Sequence, residues 1–176
     1  MHYRASQEGS ASMVTTYIGM GSNVGDRTGF CRRGVAALEE GPGVKVETVS
    51  SLYETSPVGG PPQRSFVNLA VRLFTDLEAR ELLAVCKEVE RRLGRGPNDV
   101  RWGPRVMDLD ILLFGEEKLS EPGMKVPHPR IRERRFVLVP LLEIEPGLCD
   151  PWGEPYSSSV PEAEGEVRLL EAFALP

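Results

Sequence analysis

The order in which strand-like and helix-like hydrophobic patterns follow one another constrains this chain more than any single residue does. VTTYIGM, beginning near Met13, has the β-branched and aromatic content of a strand. GMGSNVGD then reads as a loop, and Asp26 is placed to cap a helix carrying Phe30, Gly34, Ala37 and Leu38 along one side as far as Glu40. VKVETVSSLYE alternates as one strand from Val44 to Tyr53, and FVNLAVRLFT follows as another after the Pro- and Gly-rich loop TSPVGGPPQRS. Leu82, Leu83, Cys86, Val89 and Leu93 recur at helical spacing, which predicts a helix from about Leu77 that stops at Gly94. DLDILLF is the next strand, and FVLVPLLEI predicts a last helix. Residues 146–176 show little pattern, and no chemistry is assigned to them. The order β-α-β-β-α-β is a split βαβ arrangement of the α+β class. Two helices cover one face of a mainly antiparallel sheet and leave the other face for a site.

A chain of 176 residues is most simply one domain, expected over residues 13–176. The polar residues 1–12 are expected to be a disordered N-terminal extension or a leftover added segment. No apolar run is long enough to cross a bilayer and the first residues lack a secretory pattern, so a cytoplasmic protein with no membrane partner is expected. Cys31, Cys86 and Cys149 are an odd, scattered set that suggests neither disulfides nor zinc. A monomer is expected. The net charge of −5 argues against a nucleic-acid partner, yet residues 91–135 hold 11 Lys and Arg against 7 Asp and Glu, a balance of +4 that leaves −9 elsewhere. Such a stretch is either a solvated arginine face or a seat for a polyanionic small ligand such as a nucleoside triphosphate.

The stretch RWGPRVMDLDILLFG holds the main chemical anomaly. Strand alternation places Asp108, Asp110, Leu112 and Phe114 on one face and Leu109, Ile111 and Leu113 on the other. The two carboxylates then lie about 6.6 Å apart at Cα and need positive charge between them. Mg²⁺ suits such a pair, because it takes one or two carboxylates and completes its shell with water and phosphate oxygens. The competing reading is a wet strand end paired with Arg101 or Arg105. A phosphate-binding P-loop is absent, since no Gly-Lys pair occurs, and Gly19, Gly21 and Gly25 only imitate a dinucleotide turn. Arg95, Arg105 and Arg134 sit where loops are expected and would have to hold any triphosphate. Phe66 and Asn68 share a strand face, a stacking ring beside an amide, which suits a flat heteroaromatic ligand or is an ordinary sheet pair. His128 lies between two prolines and Trp102 beside Gly103 and Pro104; each is equally a structural anchor.

Taken in order, YIGMGSNVGDR, SSLYETSPVG, FVNLAV, RRLGR, RWGPRVMDLDILLFG and VPHPRIRERRFVLVPL resemble one family, 6-hydroxymethyl-7,8-dihydropterin pyrophosphokinase of folate biosynthesis. The resemblance implies a ferredoxin-like α/β sandwich and transfer of the β,γ-diphosphate of ATP to the pterin hydroxymethyl oxygen, with release of AMP. It implies that Asp108 and Asp110 hold two Mg²⁺ ions, and that Arg95 and Arg105 engage the triphosphate and the transferred group. It places His128 and Arg134 on ATP, with Glu90 and Ile111 nearer the nucleoside. Phe66 and Phe136 would sandwich the pterin, Asn68 would bond its edge, Thr55 and Val58 would line it, and Trp102 would help close the site over both substrates. Pro97 and Asn98 depart from the family pattern, which often has basic residues there. Phe66 stands where tyrosine is also common. Two other classes compete: a non-catalytic pterin or nucleotide module with this fold, and an RNA-binding ferredoxin-like domain, which would show a basic sheet face in place of DLDILLF.

Overall fold

The computed structural model describes residues 12–96, 101 and 103–175. The expectations for Pro97, Asn98, Trp102 and all but the last residue of the N-terminal extension lie outside the described residues. The elements are β1 (Val14–Ser22), α1 (Arg27–Glu39), β2 (Val44–Val49), β3 (Leu52–Thr55), β4 (Phe66–Thr75), α2 (Ala79–Arg92), β5 (Asp108–Phe114), β6 (Leu119–Glu121), β7 (Met124–Val126), α3 (Arg135–Ile144) and β8 (Val167–Glu171). The main sheet runs β5-β1-β4-β3-β8, with β2 also paired to β4, while β6 and β7 form a separate hairpin. Every pairing among these strands is antiparallel.

Alternation along β4 builds both layers. Val67, Leu69, Val71 and Leu73 are buried against α1 and α2, meeting Cys31, Val35 and Leu38 of the first helix and Leu82, Cys86 and Val89 of the second. Each such side chain contributes about 1.5–3 kcal/mol of burial. Asn68, Ala70 and Arg72 point the other way, where α3 covers part of the sheet through Leu138 and Leu141. The remainder of that face is open.

Four details differ from the sequence reading. GMG is not loop: β1 continues through Ser22, so Gly19 and Gly21 are strand residues. The single strand expected from Val44 to Tyr53 is broken at Ser50, whose hydroxyl accepts the Ala70 N–H at 2.9 Å and donates to the Ser51 carbonyl at 2.8 Å. In β5, Tyr17 pairs with Leu113 but Ile18 pairs with Ile111, so Leu112 is an unmatched residue. That bulge turns Leu113 toward α3 and Phe114 back to the helix-covered core, the reverse of strict alternation. The tail is not patternless either, because β8 adds to the free edge of β3 and Tyr156 is buried at 2% exposure.

Candidate active site

The register of the three central strands aligns the unusual residues in rows. Asp108 lies opposite Gly21, and Gly21 opposite Asn68; on the next row facing the same way stand Asp110, Gly19 and Ala70. Two interstrand spacings put the acid and the amide about 10 Å apart across the glycines. The glycines therefore form a side-chain-free floor between two walls. A Cβ on Gly21 would come within 2.4 Å of Asn68 Oδ1, so that amide occupies the space a side chain would need. At Gly19 an added Cβ would make ordinary contact, 3.4 Å from Leu112. Sequence reasoning missed both residues, since only the register shows what lies beside them.

On the acid wall, Asp108 is held by two arginines. Arg95 Nη1 reaches its Oδ1 at 2.7 Å and Arg105 Nη1 its Oδ2 at 2.8 Å. The pairing with Arg105 that the sequence left as an alternative is thus present. Arg95 simultaneously contacts Glu90 at 2.7 Å. Glu90, only 3% exposed, also meets Lys87 at 3.1 Å and accepts the Leu109 N–H at 2.8 Å. Its carboxylate is committed to ordering Arg95 and the outer edge of β5. Asp110 differs: burial and then the Asp108 charge push its carboxyl up to about 6, against the pull of Lys87 and Arg134. Arg134 is itself pushed down, by burial and by Arg130.

Among the described residues no third His, Cys, Asp or Glu joins this pair in a metal-binding cluster. The pair fits Mg²⁺ that brings phosphate and water oxygens to complete its shell.

The opposite wall is apolar and aromatic. Thr55, Val58, Phe66, Asn68 and Phe136 line one pocket, and Arg105, Asp108, Asp110 and Arg134 line its other side. Asn68 Nδ2 donates to Thr55 Oγ1 at 2.6 Å, which leaves Oδ1 over the Gly21 floor as the available acceptor. Phe136 sits in the first turn of α3, with the Arg134 guanidinium 5.5 Å from its ring centre. The loop carrying Val58 is pinned at one end by Ser56, which exchanges hydrogen bonds with Glu166, and at the other by Arg27, which donates to the Ser65 carbonyl at 2.8 Å.

Glu90, Arg95, Ile111 and His128 lie outside that pocket, around the outer edge of β5. The Ile111 side chain packs in the helix-covered core at 6% exposure and faces away from the aspartates, so no side-chain contact with a ligand there is open to it. Its backbone shares the edge on which Leu109 N–H points outward to Glu90. The His128 N–H donates to the Leu112 carbonyl at 2.8 Å, and Nδ1 accepts the Arg130 N–H at 3.2 Å. Burial and then Arg134 push the ring down to about 4, so it is neutral with its proton on Nε2.

Residues 17–146, which take in both aspartates and the whole aromatic wall, match the family model for 7,8-dihydro-6-hydroxymethylpterin-pyrophosphokinase (HPPK). The chain belongs to the HPPK family. It is 46% identical over 153 residues to the 2-amino-4-hydroxy-6-hydroxymethyldihydropteridine pyrophosphokinase of Bacillus subtilis, covering 87% of this chain and 88% of that one. To the Aquifex aeolicus protein of the same name it is 40% identical over 151 residues, covering 85% and 92%. Among solved structures, Plasmodium falciparum HPPK-DHPS with pteroate superposes with a TM-score of 0.67 at 14% identity, over 86% of this chain and 42% of that one. The chain thus spans less than half of that structure, and the likeness speaks to the fold alone. The pyrophosphokinase is an enzyme of folate biosynthesis with the α+β, ferredoxin-like HPPK fold. No helix among the described residues is long and apolar enough to cross a membrane.

Proposed function

We propose that this pyrophosphokinase takes its diphosphoryl group from ATP, delivers it to the hydroxymethyl oxygen of 6-hydroxymethyl-7,8-dihydropterin, and releases AMP. The observation that carries this reading is a single cavity whose aromatic and amide wall faces a carboxylate pair attended by arginines. A flat pterin fits between Phe66 and Phe136, above the glycine floor, with Thr55 and Val58 at its margin. Asn68 Oδ1 accepts from the ring edge while Thr55 keeps the amide from flipping. The substrate's hydroxymethyl group would then point along the floor toward Asp108 and Asp110.

Phosphoryl-type transfer needs positioning and charge neutralisation more than covalent chemistry from the protein. Asp108 and Asp110 would hold two Mg²⁺ ions, whose charge offsets that of the phosphates. Arg95 and Arg105, which pair with Asp108, have the planar donors that clamp phosphate oxygens. Arg134, on the acid side of the cavity, suits an ATP phosphate oxygen, and the neutral His128 offers an Nε2–H to phosphate. Ile111 contributes through its backbone edge, next to the nucleoside, and Glu90 acts by holding Arg95. Trp102 keeps its proposed role over both substrates. A cytoplasmic monomer is part of the proposal; the three free cysteines, of which Cys31 and Cys86 are buried, fit a reducing compartment. Incubation with ATP, Mg²⁺ and the hydroxymethyl dihydropterin should yield AMP; ADP as the nucleotide product, or no turnover, would refute the reading.

A further inference from the structure

The turn between β1 and α1 carries a buried asparagine that lines neither wall. Asn23 is 2% exposed, and its carboxamide is fully engaged. Nδ2 donates to Gln63 Oε1 at 2.9 Å and to the Arg64 carbonyl at 3.1 Å. Oδ1 accepts the Arg105 N–H at 2.7 Å, and the Asn23 N–H donates to the Arg105 carbonyl at 3.0 Å. These partners come from two separate segments. Gln63 lines the pocket from the loop that also carries Val58, and Arg105 lines it from the segment leading into Asp108.

A buried asparagine often does no more than close its own turn. Here each bond that its side chain makes leaves the turn and ends on a segment facing the cavity. Two neighbours repeat the pattern on the loop side, since Arg27 holds the Ser65 carbonyl at 2.8 Å and Arg64 reaches back to the Gly25 carbonyl at 3.3 Å. The β1–α1 turn is therefore a shared anchor, and Asn23 is the side chain that grips both segments.

We infer that Asn23 is a positioning residue for the transfer, fixing the pterin-side loop relative to Arg105 without touching either substrate. The inference rests on the pyrophosphokinase reading and adds to it the element that sets the distance between acceptor and phosphate arginine. The carboxamide is chemically necessary for this, because one end must donate to the loop and the other accept from Arg105. Aspartate in its place keeps the acceptor for the Arg105 N–H but turns a carboxylate oxygen toward Gln63 Oε1 and the Arg64 carbonyl. The loop arm alone is then disturbed: the bond to the Arg64 carbonyl is lost, and Gln63 must reverse its amide to donate. Alanine removes both arms.

The test is steady-state AMP release by purified wild type, Asn23→Asp and Asn23→Ala, with each substrate varied in turn, alongside amide hydrogen exchange on the ligand-free proteins. At about tenfold per arm, Asn23→Asp raises the pterin KM roughly tenfold and leaves the ATP KM near wild type. Asn23→Ala lowers kcat as well and reduces kcat/KM roughly a hundredfold. Exchange quickens in residues 56–65 for both variants and at Arg105 only for alanine, while β1 and β4 stay protected. Variants with wild-type KM values and unchanged exchange in both segments would overturn the inference. So would equal effects of Asp and Ala on both substrates, which is what simple destabilisation produces. If alanine does not fold, the aspartate variant and Gln63→Ala decide the loop arm. Failure of wild type to make AMP would refute the proposed function, while the exchange measurement would still judge Asn23.

Discussion

Replacing Gly21 with alanine adds one methyl group at the centre of the cavity floor, and its cost can be worked from the surrounding atoms. The new Cβ would stand 2.4 Å from Asn68 Oδ1 and 3.4 Å from its Cγ. Carbon–oxygen contact normally needs about 1 Å more than the shorter of these. Asn68 cannot give way freely, because it is 7% exposed and its Nδ2 is tied to Thr55 Oγ1 at 2.6 Å. Relief requires rotating the amide off Thr55, at about 1 kcal/mol for the lost hydrogen bond and about 1–3 kcal/mol for overpacking. The rotated amide also loses its aim at the pterin edge, worth about tenfold in pterin KM. ATP should be indifferent, since the clash lies on the pterin wall. Steady-state AMP assays with each substrate varied, together with a thermal melt, test this directly. Gly19→Ala is the control for the melting temperature, because its Cβ meets Leu112 first, at an ordinary 3.4 Å, and leaves the Asn68 amide in place. A Gly21→Ala enzyme with wild-type pterin KM and melting temperature would show that the floor does not set the amide's position.

Asp110→Asn should abolish turnover yet stabilise the ligand-free protein at neutral pH. The carboxyl rises from 3.8 to about 6 on folding, so wild-type stability falls as pH climbs through that window, and the amide removes on the order of 1–3 kcal/mol of deficit above it. Urea denaturation from pH 4 to 8 should show the gain shrinking to nothing at the acid end; a pH-independent difference would contradict the assignment. His128 acts in the opposite sense. Its ring falls from 6.5 to about 4 on folding, so stability is lost as pH drops across that interval, by on the order of 3 kcal/mol. In an Asp110→Asn background, where the opposing titration is gone, His128→Gln should flatten the acid limb of the denaturation profile. Glu90→Ala removes one of the two carboxylates on Arg95, which keeps Asp108, and leaves the Leu109 N–H unpaired, and should cost about 1–3 kcal/mol by chemical denaturation. A loss below 1 kcal/mol would mean that this network does not hold the edge of β5.

What could be read in the sequence was whatever depends on neighbours along the chain. Alternation put Asp108 and Asp110 on one face of β5, and Phe66 and Asn68 near each other on β4, without knowledge of any partner strand. What escaped depends on neighbours across the sheet. Gly19 and Gly21 look like turn residues because glycine is the usual turn signal, and only their position between Asn68 and Asp108 explains the missing side chains. Asn23 looked like part of the same turn, since its partners lie at Gln63, Arg64 and Arg105. β8 carries no alternation to detect: Leu169 is 60% exposed and Leu170 36% on an outer strand with no core behind it. Ile111 shows the converse limit, because resemblance carried a nucleoside role to a residue whose side chain the strand turns inward.

Leu112, the residue of β5 without a partner on β1, has a consequence for how this enzyme can change. On one side of it the strand presents carboxylates in one phase; on the other it presents packing residues in the opposite phase. Repacking around Leu113 and α3 therefore does not rotate Asp108 or Asp110. The hydrophobic end of this seven-residue strand is thus the place to change its packing while the phase of its acid end is kept.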